Sequence, residues 1–380
     1  MITFMTVLNI TLLSGMIIAL LHCFLHKTRI ILFNNLNLVA ALMVVILLRL
    51  LLPFELPTQR NIYITHIFPK FYVALYQTRF TFIGREWDIM SLLIALTIAG
   101  SIYFFIKLIS AYFNTQKKVK KLKAYDNPVI NEVVASINKT YRKPVQFQIK
   151  ISTQADTPFI FGLFKPCIVL PELDLSPKYW EYILTHEISH YYHKDLWIRF
   201  LCELLHIIYW WNPFIIILRK QIIEIQEFRS DASVIKQLGC LEQLDYTECL
   251  IHIAKIQNIK PKENLANICI TPFSSGSDTD IGRRINWITN KDKFTKKHCT
   301  KTGILVVALL FLLSLLPDFF ILESKPQNIP STILEQYTII NSENAYYVYN
   351  DKGTYDLYVN GKYFSTVTKI FNNTLTIYYK

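Results

Sequence analysis

Two histidines four apart, His186 and His190, with Glu187 beside the first, are the residues of this chain whose types and spacing could do chemistry. On an α-helix the side chains at i and i+4 share a face, so both imidazoles can reach one metal while Glu187 acts on a water next to it. The pentad His186-Glu187-Ile188-Ser189-His190 therefore points to zinc-dependent hydrolysis, of peptide bonds first of all. The plainer reading is two histidines on an ordinary amphipathic helix. Glu227-Phe228-Arg229-Ser230-Asp231 weighs against it. A catalytic tetrahedral zinc takes three protein ligands and leaves one position open, and an acid on a later helix commonly supplies the third, which makes Glu227 the candidate. Asp231 lies one turn further along the same face, where its carboxylate could accept the free ring N–H of a ligand histidine. Asp195 could serve the same purpose, or be a surface acid at a helix end.

The elements that must position these residues are legible around them. Ser176-Pro177 is an N-cap followed by a first-turn proline, and Trp180, Ile183 and Leu184 supply the apolar stripe that leads into the pentad. Pro158 to Pro171 reads as two short strands around a turn containing Gly162. A strand at that place could pair with an extended substrate backbone if it is an edge, or be plain core sheet.

The composition places this machinery at a membrane. Of the 380 residues 52% are hydrophobic, and the mean hydropathy of +0.27 is high for a soluble protein. Four stretches are long enough to span a bilayer: residues 2–25, 31–54, 88–113 and 302–322, the last interrupted near its end by Pro317 and Asp318. The predicted architecture is a mainly α, polytopic membrane protein with an α+β zinc-peptidase domain. Lys117, Lys118, Lys120, Lys121 and Lys123 follow the third stretch, and Lys291, Lys293, Lys296, Lys297 and Lys301 precede the fourth. Both clusters should stay on the cytoplasmic side of a bacterial plasma membrane, which puts residues 114–301 inside. The loop 55–87, the N-terminus and a tail over 323–380 are then outside. Much of the net charge of +12 is this juxtamembrane lysine, so no nucleic-acid binding is needed to explain it. All seven cysteines fall in the spans or the inner segments, with no CxxC spacing, so neither a disulfide framework nor a structural zinc site is expected.

Residues 196–218 are apolar enough to suggest a further span, but crossing there would put His186 and His190 on one side and Glu227 on the other. The segment should instead enter and return, or lie along the interface as a bent helix broken near Asn212-Pro213. In the tail, alternating residues over 346–349, 355–359 and 362–367, separated by Asn350 to Gly353 and Asn360-Gly361, predict a small antiparallel meander. Thr271 to Asp280 is a polar, turn-rich run, the part of the inner segment best suited to extend into a peptidase cleft.

The ordered series of three early spans, the Phe161 to Pro171 turn, HEISHYYHKD from His186 to Asp195, Trp210 to Pro213, Glu227 to Asp231 and a final span resembles the BlaR/MecR-type membrane metallopeptidases. By position the resemblance implies zinc bound by His186, His190 and Glu227 in a gluzincin-like domain, with Glu187 as the catalytic glutamate and Asp195 and Asp231 as supporting acids. It further implies an antirepressor sensor-transducer that cleaves itself, a cytoplasmic winged-helix repressor or a small peptide, and with the exposure of the run from Thr271 to Asp280 it places self-cleavage between about residues 268 and 282. A homodimer is a further candidate assembly. The departure is in the tail, where residues 323–380 contain no Ser-x-x-Lys, so sensing of β-lactams by acylation is not expected. The competing function is a non-proteolytic transmembrane receptor that acts on its partner by helix movement.

Overall fold

The computed structural model describes residues 4–27, 36–52, 60–64, 79–82, 85–155, 157–259, 278–290, 304–305, 308–313, 320–324, 345–350, 353–359, 361–367 and 375–379. They divide into two units, Met1–Ile62 with Leu75–Glu323, and Tyr63–Ala74 with Ser324–Lys380.

The first unit begins with two apolar helices, α1 (Phe4–Lys27) and α2 (Leu36–Leu51). After them α3 (Ile89–Lys121) starts at Asp88, whose carboxylate accepts the Ser91 backbone N–H at 2.6 Å. It does not stop where its apolar stretch ends but continues through the lysine cluster for 33 residues, about 50 Å at the helical rise. Among the described residues it is the one helix long and apolar enough to cross a membrane. Leu96, Ile98, Ile102, Ile106 and Phe113 along it are exposed, which suits a lipid-facing surface. Within the expected fourth span, residues 304–305 and 308–313 are helical, and strand β7 (Phe320–Ser324) begins inside its last residues.

Beyond α3 comes α4 (Pro128–Lys139), then a three-stranded sheet in the order β4 (Gln148–Ser152), β6 (Cys167–Pro171), β5 (Phe159–Phe161). β6 runs parallel to β4 and antiparallel to β5, and it is buried along its whole length, as its unbroken apolar run requires. Gly162 makes the β5–β6 turn with φ +104, and a Cβ there would meet the Lys165 carbonyl oxygen at 2.4 Å. β5 is an edge strand.

The helices that carry the pentad and Glu227 follow. α5 (Pro177–Tyr192) is capped by Ser176, whose hydroxyl accepts the Tyr179 N–H. Only His193 and Lys194 separate it from α6 (Asp195–Ile208), and Lys194 takes the left-handed conformation, φ 63, to make that turn. Tyr209 to Asn212 then connect α6 to α7 (Pro213–Ile235), so residues 196–218 form parts of two helices and not one bent helix. Asn212 caps α7 by accepting the Phe214 N–H at 3.0 Å, with Pro213 filling the first position, where no donor is missed. The connection is seated beside α3: the Trp210 indole donates to the Thr97 carbonyl at 3.2 Å, and a Cβ on Gly100 would come within 2.3 Å of its ring. Thr97 and Gly100 lie well inside the apolar stretch of α3, so the α6–α7 hairpin reaches that depth and both legs return to the site. The core of this unit joins Ile18 and Leu21 of α1, Met43 and Leu47 of α2 and Ile222 and Ile225 of α7.

α8 (Cys240–Ile259) and α9 (Asp278–Thr289) come next in the chain. The helix begins at Asp278, inside the run expected to be turn-like; residues 260–277, with most of the expected self-cleavage segment, lie outside the described residues. β2 (Arg79–Phe82) pairs with β3 (Arg85–Asp88), and β1 (Arg60–Ile64) pairs with β7. In the second unit β8 (Ala345–Asn350), β9 (Thr354–Val359) and β10 (Lys362–Val367) form the antiparallel meander, with Gly353 and Gly361 at φ +76 in its turns. A fourth strand, β11 (Thr376–Tyr379), adds to β8 in parallel, which gives the order β10-β9-β8-β11.

Candidate metal centre

His186 and His190 project from the same face of α5, and Glu227 meets them from α7. The two Nε2 atoms are 3.3 Å apart. Glu227 places Oε2 3.4 Å from Nε2 of His186 and Oε1 3.6 Å from Nε2 of His190. A tetrahedral zinc with bonds near 2.05 Å separates its ligand atoms by about 3.3 Å, so the three donors already stand at the right spacing for one ion. All lie within 4.8 Å of one another. The donor set and its spacing fit zinc.

What fixes the rings is on their other nitrogens. His190 Nδ1 is 2.8 Å from Asp195 Oδ2 and 3.0 Å from the Ser230 hydroxyl. His186 Nδ1 is 3.1 Å from Asp231 Oδ1, and the Tyr246 hydroxyl lies 3.2 Å from the same nitrogen. With Nδ1–H committed to a carboxylate in each ring, the Nε2 lone pair is the one turned inward. Both acids are fully buried. The tight α5–α6 turn at Lys194 is what brings Asp195 back onto His190.

Two arginines surround the Glu227 carboxylate, Arg199 of α6 at 3.2 Å and Arg284 of α9 at 3.1 Å. Arg284 also holds Asp231 with two hydrogen bonds, from Nε at 2.8 Å and from a terminal nitrogen at 2.7 Å. The Tyr246 hydroxyl donates to Asp231 at 2.7 Å, and the Gln226 amide accepts from Arg199 Nε at 2.7 Å and donates to the Asp195 carbonyl at 3.3 Å. Arg199, Arg284, Tyr246, Ser230 and Gln226 were not singled out as site residues from the sequence. Ser230 and Gln226 flank the Glu227 to Asp231 motif, and a helical wheel would have placed them there; Arg284 follows Asp231 by 53 positions and has no local signal.

The charges set the ionisation states. Burial opposes the imidazolium of His186, but hydrogen bonds to Asp231 and Glu227 outweigh it and hold the group up at about 9. Burial also opposes the Asp231 carboxylate, yet Arg284 and the His186 hydrogen bond pull it down to about 2. Glu227 is held well below its ordinary value against burial by His186 and Arg284. Glu187 moves the other way, because burial pushes its carboxyl up more than the neighbouring histidines pull it down. A carboxyl with raised proton affinity beside three donors is suited to take and return a proton.

The site opens into a cavity of about 1000 Å³. Its walls include Tyr112 and Phe113 of α3, Phe159 and Phe161 of β5, and Ile217 and Gln221 of α7, and Glu187 faces it beside the histidines.

The family model described as BlaR1 peptidase M56 matches residues 42–288. The chain is similar to the methicillin resistance mecR1 protein of Staphylococcus aureus, 26% identical over 220 residues that make up 56% of this chain and 36% of that protein. It is also similar to the regulatory protein BlaR1 of Bacillus licheniformis, 29% identical over 180 residues, 46% of this chain and 29% of the relative. The chain thus spans about a third of the length of the curated relatives it matches.

Proposed function

From its membership of the BlaR1 peptidase M56 family, we propose that this chain is a membrane-embedded zinc endopeptidase of the BlaR/MecR type that cuts peptide bonds at the cytoplasmic side of a bacterial plasma membrane. The observation that carries the reading is the convergence of His186, His190 and Glu227 with Glu187 facing the same cavity. Zinc, held by those three side chains, would supply the Lewis acidity that activates water and the scissile carbonyl. Glu187 takes the proton of the attacking water and passes it to the leaving nitrogen, and its raised proton affinity favours the first of these transfers. Asp195 and Asp231 keep the two rings oriented through Nδ1, and Arg199 and Arg284 hold the Glu227 carboxylate in place. The open edge of β5 lines the cavity, where it can hold an extended substrate backbone by main-chain hydrogen bonds.

The substrate classes consistent with the family are the chain itself, a cytoplasmic winged-helix repressor and a small peptide. Pairing of β1, in the loop after α2, with β7, beyond residues 302–313, supports a topology in which both lie on one side of the membrane, and the lysine clusters favour the outside. A homodimer is compatible with this arrangement.

The reading is tested on the purified full chain. It should hold about one zinc. Glu187→Ala should keep the metal and lose cleavage, and Glu227→Ala should lose metal. Equal zinc in the wild type and in a variant lacking all three ligands would end the proposal. The second reading, a receptor that signals by helix movement, is favoured by the bond from Arg284 of α9 to Asp231, which ties the site to the chain leading toward residues 302–322. It predicts that Glu187→Ala keeps both metal and biological output.

A further inference from the structure

Ile98, Ile102, Ile106, Ile109 and Phe113 follow one another on α3 at steps of three and four, so they form one row along that helix, and all five are exposed. The row lies away from α6, which packs on the other side of α3, with His206 5.1 Å from Phe104 and the Trp210 loop bonded to Thr97. Its last two members, Ile109 and Phe113, also line the cavity of the metal site. The apolar surface suited to lipid therefore continues into the space in front of His186, His190 and Glu187. Lys117 follows Phe113 by about 6 Å of helix, which sets this junction at the membrane boundary, near the headgroups. The β5–β6 turn points to the same place. Phe164 at its tip is 80% exposed, with its ring 5.2 Å from that of Trp197, and Gly162 and Leu163 just before it line the cavity. Trp197 opens α6 about 20 Å of helix before Trp210, level with the last apolar turns of α3, where Tyr112 meets Phe161 at 5.6 Å. A phenyl ring this exposed is unfavourable in water and suits the interface of a bilayer.

We propose that the substrate reaches the metal site sideways from the membrane: an apolar peptide segment at the inner boundary of the bilayer passes Ile109 and Phe113 and lies extended in the cavity. This rests on the peptidase reading and narrows its substrate to a segment already resident in the membrane. An apolar stretch supplied from water would first have to be held exposed there, at about 25 cal/mol for each Å² of apolar surface. A segment at the bilayer passes instead from one apolar surrounding to another. What it loses on entering is pairing of its peptide groups, which is costly away from water, and the open edge of β5 on the cavity wall restores it. Phe164 and Trp197 anchor the turn beside the entrance in the same boundary, and the lysines after Phe113 meet the headgroups.

The test uses the zinc-loaded full chain in lipid nanodiscs, with labelled acetohydroxamate on the metal and two competitors. One is an apolar tripeptide hydroxamate free in water; the other is the same tripeptide hydroxamate joined to two palmitoyl chains, which confine it to the bilayer. The confined probe should displace acetohydroxamate from the wild type, a result that depends on no variant. Ile109→Asp and Phe113→Asp place a carboxylate at the entrance and should weaken the confined probe by about 10-fold or more. Ile102→Asp, two turns away on the same row but not on the cavity, should leave it unchanged. Displacement by the free tripeptide with none by the confined probe would overturn the proposal and favour a substrate supplied from water. Equal weakening by Ile102→Asp would also overturn it, because the effect would then belong to charge on α3 and not to the entrance. Failure of acetohydroxamate itself to bind would instead overturn the zinc-peptidase reading beneath it.

Discussion

His186 is where protons and metal compete. With its imidazole held at about 9 by Asp231 and Glu227, the ring is protonated at neutral pH in the metal-free chain and must lose that proton to bind zinc. Because this folded-state value is raised, the charged ring stabilises the metal-free protein fully below the unfolded value of 6.5, and that contribution fades as pH rises through about 9. Zinc affinity changes in the opposite sense and should increase by roughly tenfold per pH unit between 6 and 8. Calorimetry in buffers of different ionisation enthalpy should find close to one proton released per zinc at pH 7; a value near zero would mean that the ring is neutral there. Asp195→Asn should weaken zinc binding by about 10- to 100-fold, because the Nδ1 contact at 2.8 Å is what aims the His190 ring. Arg284→Leu removes the guanidinium from the fully buried Asp231, and denaturant unfolding should show a loss of about 3 kcal/mol.

Elements decide how the ligands meet. The α6–α7 hairpin approaches α3 closely because Gly100 has no side chain where Trp210 packs, and Phe214 uses Gly15 of α1 in the same way. Gly100→Leu should therefore lower Tm, and adding Trp210→Ala should cost less than the sum of the two single changes, since both act at one contact. Additive effects would show that the ring does not fill that space. The expectation that residues 196–218 return to their starting side follows from the ligand geometry alone, but the break into two separately capped helices depended on Asn212-Pro213. At the start of α6, Lys194 holds a left-handed backbone that costs a non-glycine residue about 1 kcal/mol, and Lys194→Gly should recover part of it.

At the scale of the whole molecule the question is sidedness. Cys240 is exposed and so can report on accessibility. On intact cells an impermeant thiol reagent should label Tyr358→Cys in β9 and leave Cys240 unlabelled until the membrane is opened. Labelling of Cys240 from outside would mean that the chain crosses between α5 and α8, and the shared site of His186, His190 and Glu227 would have to be abandoned.

Local regularities were legible without coordinates because they repeat over a few residues. The i, i+4 spacing of His186 and His190 determined that they share a face, Ser176-Pro177 determined where their helix starts, and Gly162 marked the turn between β5 and β6. The meander of β8, β9 and β10 was written in alternation and in Asn360-Gly361. β11 was not, because a parallel partner far along the chain leaves no turn signature beside it. The same holds for Arg284 on Asp231 and Tyr246 beside His186: each depends on which distant surfaces the packing of α7, α8 and α9 brings together. Periodicity and capping are properties of neighbours in the chain, whereas satisfaction of a buried charge or amide is a property of neighbours in space, and only the tertiary structure decided it.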